Sequence, residues 1–384
     1  MKPFAAAAFT AVAIALAVCG CQRLLLGPDR AANTPPSPHA TRFETILDSL
    51  RYALDMPALA GAIVTDSGTL QVAAVGSRRW GGPANVTIND QFHLGSDTKA
   101  MTAALIGTLV DEGKVAWGTT LPQIFPELAG TMRTQYRDVT VREVLSHSAG
   151  LLRDFGRTFD GTTPREQRVA AVAWALAQSP IGPRGTYSYS NVGYVIAGAI
   201  AERLADGQYE DLLLARVLRP LGVTTAGFGP MGTPGLEDEP LQHTGSHAPV
   251  EPTPSADNQP IYSSAGRLHL SIGDWARWAT WVLAAEAGHQ TLLADSTARA
   301  LTDSAVAIPG AGAYALGWSI LQRDWAGGRS LQHCGSNNLS YAEIALAPGP
   351  RFGVLVATNQ GPGVLAIPTD PAVGRLILFH LDGR

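Results

Sequence analysis

The stretch HLGSDTK, residues 93–99, closes a short extended piece, FHL, and opens the apolar run DTKAMTAALIGTLVDEGK, whose spacing predicts a helix ending near Gly113. Lysine otherwise occurs only at Lys2 and Lys114, so arginine carries nearly all the positive charge and a lysine three residues after a serine is a costly choice here. Positions three apart share a helix face, which makes Ser96 and Lys99 neighbours. A serine in the first turn also meets unpaired backbone N–H groups and the positive end of the helix field, both of which favour an alkoxide. The same field, with burial, lowers the pKa of Lys99, so a neutral amine can take the serine proton. The bland alternative is a helix-start serine beside a solvated lysine, and the pair alone does not choose between them.

Working outward, RFETILDSLRYAL (42–54) has helical spacing, and AGAIVTD and TLQVAAVG read as two strands joined at Asp66-Ser67-Gly68. From about 115 to 260 the chain is rich in proline, glycine and helical segments: DVTVREVLSHSAGL (138–151), REQRVAAVAWALAQ (165–178) and NVGYVIAGAIAERLA (191–205). Residues 231–260 form a long polar loop, and loops of that length inside a domain are usually functional or mobile. SIGDWARWATWVLAAEAG opens a helix with Ser271 as N-cap. RSLQHCG, YAEIALAP and FGVLVATN then read as three strands, and AVGRLILFHL as a closing helix. The order predicts an α+β fold: an antiparallel sheet built from both ends of the chain, flanked by the terminal helices, with an all-α subdomain inserted. The α/β part covers about 41–112 and 265–384, the helical part about 113–264.

A chain of 384 residues with 46% hydrophobic content buries a large core, in one big domain or two intimately connected ones. The net charge of -4, with no lysine/arginine run, argues against nucleic acid as a partner. Residues 1–21 read as a secretory signal peptide: a positive start (MKP), the apolar run FAAAAFTAVAIALAV, then CGC. A retained membrane anchor is the alternative. VCGC resembles a bacterial lipobox, with Val18 at minus three, Gly20 at minus one and Cys21 as the acylated residue. Residues 22–40, with Pro28, Pro35, Pro36 and Pro38, would tether the folded part to a membrane through Cys21, at the periplasmic face of the cell envelope. Gln22 resembles the residue that directs sorting to an outer membrane where there are two. After the signal only Cys21 and Cys334 remain, so the fold needs no disulfide.

Two further motifs carry chemistry. In YSYSNVGY (187–194), Tyr189 and Asn191 alternate along a short extended segment and point the same way, so a phenol could relay a proton beside an amide that holds a substrate. A turn with exposed tyrosines is the alternative. In LQHCGSNN (331–338), His333 supplies a cation or donor at a strand end, and Gly335 leaves room for a substrate backbone.

Ser96-x-x-Lys99, Tyr189-x-Asn191 and His333-x-Gly335, in that order and at wide spacing, resemble the three motifs of the penicillin-recognising serine hydrolases, closest to the class C β-lactamase-related branch with its esterases and D-aminopeptidases. FHLGSDTKAMTAALIGTLVDEGKV, VTVREVLSHSAGL, YSYSNVGYVIAGAIAERL, LLARVLRPLGV, SSAGRLHLSIGDWARW and ALGWSI look like the blocks between those motifs, so the likeness runs from about 42 to 384. The resemblance implies the β-lactamase/transpeptidase-like fold, no cofactor and no metal. It makes Ser96 the nucleophile of an acyl-enzyme and has Lys99 and Tyr189 share the base and acid roles. Asn191 would bind the acyl-side amide and steady Lys99, and the N–H groups of Ser96 and Ser336 would form an oxyanion hole. The substrate would be a small molecule or peptide of the D-amino-acid peptide, ester or β-lactam type, peptidoglycan fragments included. Many members carry lysine where this chain has His333. With a reference pKa of about 6.5, histidine is charged in only a fraction of molecules at neutral pH, which weakens carboxylate recognition and points towards the esterase, D-aminopeptidase and amidase members. Cys334 and Asn337 are also unusual and leave the substrate open.

Three rivals compete. A Ser-His-Asp esterase needs G-x-S-x-G, which is absent; Ser148 in SHSAG comes nearest. A metal site at His243 and His247 is disfavoured because HTGSH lies in a glycine- and proline-rich loop, and His147 reads as structural. The third is a catalytically silent lipoprotein that binds cell-wall peptides, against which the intact Ser96, Lys99, Tyr189 and Asn191 argue.

Overall fold

In the computed structural model, residues 41–289, 291–363 and 368–383 are described; the expected signal peptide and tether, with Cys21, lie outside them. The first helix, α1 (Arg42–Ala53), starts at a capping box: Thr41 Oγ1 accepts from Glu44 N at 3.1 Å and Glu44 Oε2 accepts from Thr41 N at 2.7 Å. Its buried residues Phe43, Leu47 and Leu50 lie on one face.

Eight antiparallel strands form the main sheet: β1 (Ala58–Thr65), β2 (Gly68–Gly76), β3 (Val306–Ile308), β4 (Gly312–Tyr314), β5 (Ser319–Arg323), β6 (Gly328–Ser336), β7 (Tyr341–Ala347) and β8 (Phe352–Thr358). Their order is β2-β1-β8-β7-β6-β5-β4-β3, so β1, near the start of the folded chain, is zipped to β8, near its end. The hairpin between β1 and β2, β6 to β8 and the closing helix α6 (Asp370–Asp382) match the sequence-based expectation. Strands β3 to β5 were not anticipated. Two of them have three residues each, too short to show an alternating pattern.

Side chains alternate across the sheet because successive residues of a strand point to opposite faces. On β1, Ala58, Ala60, Ala62 and Val64 enter the large core, while Leu59 and Ile63 enter a second core with α1 and α6. Gly61 sits on the latter face, where a Cβ would press on Leu47 and Leu376. Both faces are therefore covered, which explains why the strands read as nearly continuous apolar runs.

The large core contains α2 (Thr98–Asp111), α3 (Pro164–Ala177), α4 (Asn191–Ala205) and α5 (Ile272–Glu286). Ser271 caps α5 by accepting from Asp274 N at 3.2 Å. The helix expected over 138–151 is only Val141–Leu145. It stops because His147 takes a left-handed conformation, φ +61°, which no helix continues through. Residues 231–260 are mostly irregular and well packed in part, with Gln242, His243 and Ala256 buried.

Candidate active site

Ser96 lies in a single 3₁₀ turn, Gly95–Asp97, that feeds directly into α2. Gly95 holds φ +52°, and Thr98 Oγ1 ties the turn by donating to Gly95 O at 2.7 Å. The turn presses on the end of β6. A Cβ on Gly95 would collide with Ser336 N, and one on Gly335 would collide with Leu94 O and Ser96 N. Gly335 thus makes room for the nucleophile's own backbone, which corrects the expectation that a substrate chain fills that space. The Ser96 turn and the end of β6 are therefore packed backbone against backbone, with no room for a side chain between them. β5 pairs with β6 only as far as Gln332, so residues 333–336 run on beside the Ser96 turn.

Half-buried Ser96 stands between two groups: Lys99 Nζ is 2.9 Å from its Oγ, and the Tyr189 hydroxyl donates to that Oγ at 2.8 Å. Lys99 is fully buried, and its amine also donates to Ala265 O at 2.6 Å. Burial lowers its pKa from 10.5 to about 7; Asp154 and Asp97 pull it back up and Arg153 pushes it down. The same burial raises the Tyr189 phenol far above its ordinary value. One buried environment therefore favours the neutral form of both the amine and the phenol.

Tyr189 ends the extended segment before α4, and Ser190 caps that helix by accepting from Gly193 N at 3.0 Å. Asn191 is the first residue of α4 and is turned outward: its Nδ2 donates to Asp154 Oδ1 at 2.8 Å, and its backbone N–H donates to Arg153 O. The hydrogen bonds that hold Lys99 come from Ser96 and Ala265, not from Asn191. The Arg153 guanidinium lies 5.4 Å from the centre of the Tyr189 ring.

His333 is buried, with Nε2 3.0 Å from the Tyr314 hydroxyl and Nδ1 2.9 Å from Cys334 O. Burial first, and then the charge of Lys99, push its pKa from 6.5 to about 3. The ring is neutral across the physiological range, so the fractional cation expected at this position is corrected to none. Asp97 Oδ1 stands 3.8 Å from His333 Nδ1; both Asp97 oxygens are buried without a hydrogen-bond partner, and burial raises its carboxyl well above the usual range. His147 Nδ1 accepts from Ser190 N at 3.0 Å, and its ring packs against Tyr187, Tyr189, Tyr194 and Tyr314. Burial keeps it neutral too.

Ala265, Arg153 and Asp154 were missed from sequence. A carbonyl leaves no compositional signal, and an Arg-Asp pair after SHSAGLL reads as an exposed turn. His243 and His247 part company: Nε2 of His243 accepts from Trp80 N at 3.0 Å, whereas the His247 ring stacks on Trp80 at 3.8 Å.

The chain matches the β-lactamase family over residues 43–377 and belongs to it. It is 30% identical over 292 residues to an unguisins hydrolase of Aspergillus campestris, covering 72% of this chain and 53% of that protein, so it spans about half that relative's length. Penicillin-binding protein 4 of Amycolatopsis lactamdurans is 29% identical over 342 residues, covering 85% of this chain and 86% of that one. A class C β-lactamase from Rhodobacter sphaeroides has the same fold, with TM-score 0.70 and 18% identity over 88% of this chain and 98% of that chain. The architecture is β-lactamase/transpeptidase-like, and the family with its hydrolase relatives supports a serine hydrolase.

Proposed function

We propose that this protein hydrolyses an ester or amide through an acyl-enzyme on Ser96. The observation that carries the reading is Ser96 Oγ held between Lys99 Nζ at 2.9 Å and the Tyr189 hydroxyl at 2.8 Å, with the lysine pKa brought down to about 7. Neutral Lys99 takes the Ser96 proton as Oγ bonds to the substrate carbonyl carbon. The carbonyl oxygen, now an oxyanion, is received by Ser96 N–H and Ser336 N–H. The proton on Lys99 passes through Tyr189 to the leaving group as its bond to carbon breaks. Water then repeats the sequence in reverse and releases the acid.

His333 supports a narrower substrate class. A neutral imidazole bonded to Tyr314 and Cys334 offers no charge to a substrate carboxylate, which favours esters and D-amino-acid amides over carboxylated β-lactams. The similarity to a hydrolase of unguisins supports a small-molecule or peptide substrate. The lipobox-like VCGC supports attachment through Cys21 at the cell envelope, where cell-wall fragments are at hand.

The test is intact mass after exposure to a fluorophosphonate, with Ser96→Ala in parallel. One adduct on the parent and none on the variant is the expected outcome, and panels of esters, D-amino-acid amides and β-lactams then rank the substrates. An unlabelled parent would leave a peptide-binding protein that has kept the fold without the chemistry.

A further inference from the structure

The loop 231–260 delivers one buried carboxylate, Asp257, to the back of the site, where its side chain has no solvent exposure. It faces His93, whose side chain is equally buried, with Nε2 3.2 Å from Asp257 Oδ2. On the other side of the ring, Nδ1 accepts from Gly95 N at 3.1 Å. Since that backbone N–H must donate, Nδ1 is the acceptor and Nε2 carries the proton towards Asp257. The imidazole thereby holds the Leu94–Gly95 peptide, the one directly before the peptide that carries the Ser96 N–H.

The second oxygen of Asp257 reaches the other half of the oxyanion hole. Oδ1 accepts from Asn337 Nδ2 at 3.1 Å, and Asn337 directly follows Ser336. The Asn337 amide also donates to Gln242 Oε1 at 2.6 Å, while its oxygen accepts from Leu339 N and Ser340 N at 3.1 and 3.0 Å, so the turn after β6 is pinned. Arg267 Nε donates to Asp257 Oδ2 at 3.3 Å, two residues beyond the Ala265 carbonyl that holds Lys99. Burial alone would raise the Asp257 carboxyl, but His93, Arg267 and Asn337 hold it below its usual value. A carboxylate so enclosed is fully paired, and each partner stands within three residues of a working atom.

We propose that Asp257, acting through His93 and Asn337, is a positioning residue that aims the Ser96 and Ser336 N–H groups at the oxyanion. The loop 231–260 is then part of the catalytic machinery. This rests on the acyl-enzyme reading above. A misplacement of about 1 Å in such a site costs on the order of 100-fold in rate, so the effect should appear in kcat with little change in KM.

The experiment measures, on the full chain, the fluorophosphonate labelling rate and kcat and KM for a p-nitrophenyl ester. Asp257→Asn and His93→Ala are expected to lower kcat and the labelling rate about 10–100-fold, with KM within about twofold. The double variant should be no slower than the slower single, because both act through one chain of bonds. His93→Asn keeps an acceptor near the Nδ1 place and should recover much of the rate lost in His93→Ala; this comparison also serves if Asp257→Asn fails to fold. Variants that label at the parent's rate, or whose losses multiply and appear in KM, overturn the proposal alone. A parent that takes no label on Ser96 overturns the acyl-enzyme reading, and this proposal with it.

Discussion

Two fully buried basic side chains, Arg168 and Lys99, have opposite surroundings. Arg168, on α3, donates to both oxygens of Glu202 on α4 at 2.5 and 3.0 Å and to both oxygens of Glu210 at 3.2 and 3.1 Å, with Pro260 O at 3.2 Å completing the set. Burial works against its charge, yet the Glu202 bonds and the Glu210 charge leave its pKa raised. Among the described residues, Lys99 has only a serine oxygen and a carbonyl within hydrogen-bond reach, and its pKa falls to about 7. A buried charge given its partners is locked in place, whereas one denied them becomes a proton carrier.

The comparison breaks first at Lys99. Lys99→Met should slow fluorophosphonate labelling about 10²–10⁴-fold, the range for losing a general base. Thermal denaturation should show an equal or higher midpoint, because no charge is stranded. Labelling at the parent's rate would remove Lys99 from the base role. Arg168→Met should do the reverse: it leaves Glu202 buried and unpaired, at a cost of about 3–5 kcal/mol. Its melting point should fall steeply, while the molecules that remain folded keep the parent's kcat.

A smaller effect sharpens the contrast. Because neutral Lys99 is the active form, kcat/KM should rise with pH through about 7 and then level off. Arg153 lowers the Lys99 pKa, so Arg153→Ala should move that limb to higher pH; Asp154 raises it, so Asp154→Asn should move the limb to lower pH. Shifts of about one unit or less are expected for such half-exposed groups, measured as pH profiles at constant ionic strength. Two shifts of the same sign would mean that a group other than Lys99 governs the profile.

Much of this was legible in the chain itself. The spacing of Ser96 and Lys99, the tyrosine at Tyr189, and the runs that became α1, β1, β2, β6, β7, β8 and α6 each carry a local signal: an i, i+3 pair, a capping box, an apolar strand between turns. The helix over 138–151 failed because a backbone reversal at His147 is paid for by distant rings, Tyr187, Tyr189 and Tyr314, that no local pattern reveals. The same reason applies to His333. Its residue type suggests titration near neutrality, but its protonation depends on burial beside Tyr314 and on the charge of Lys99.

By itself the sequence determined which residues are present to react, the helix and strand types of the long periodic segments, and the family to which they belong. Those follow from short-range sterics, periodicity and residue chemistry. Only the tertiary structure decided that burial lowers the Lys99 and His333 pKa values, that Gly335 yields to the Ser96 backbone and that Asp257 reaches both His93 and Asn337. Each depends on desolvation or contact between residues far apart in the chain, and a burial energy has no value until the walls around the group are in place.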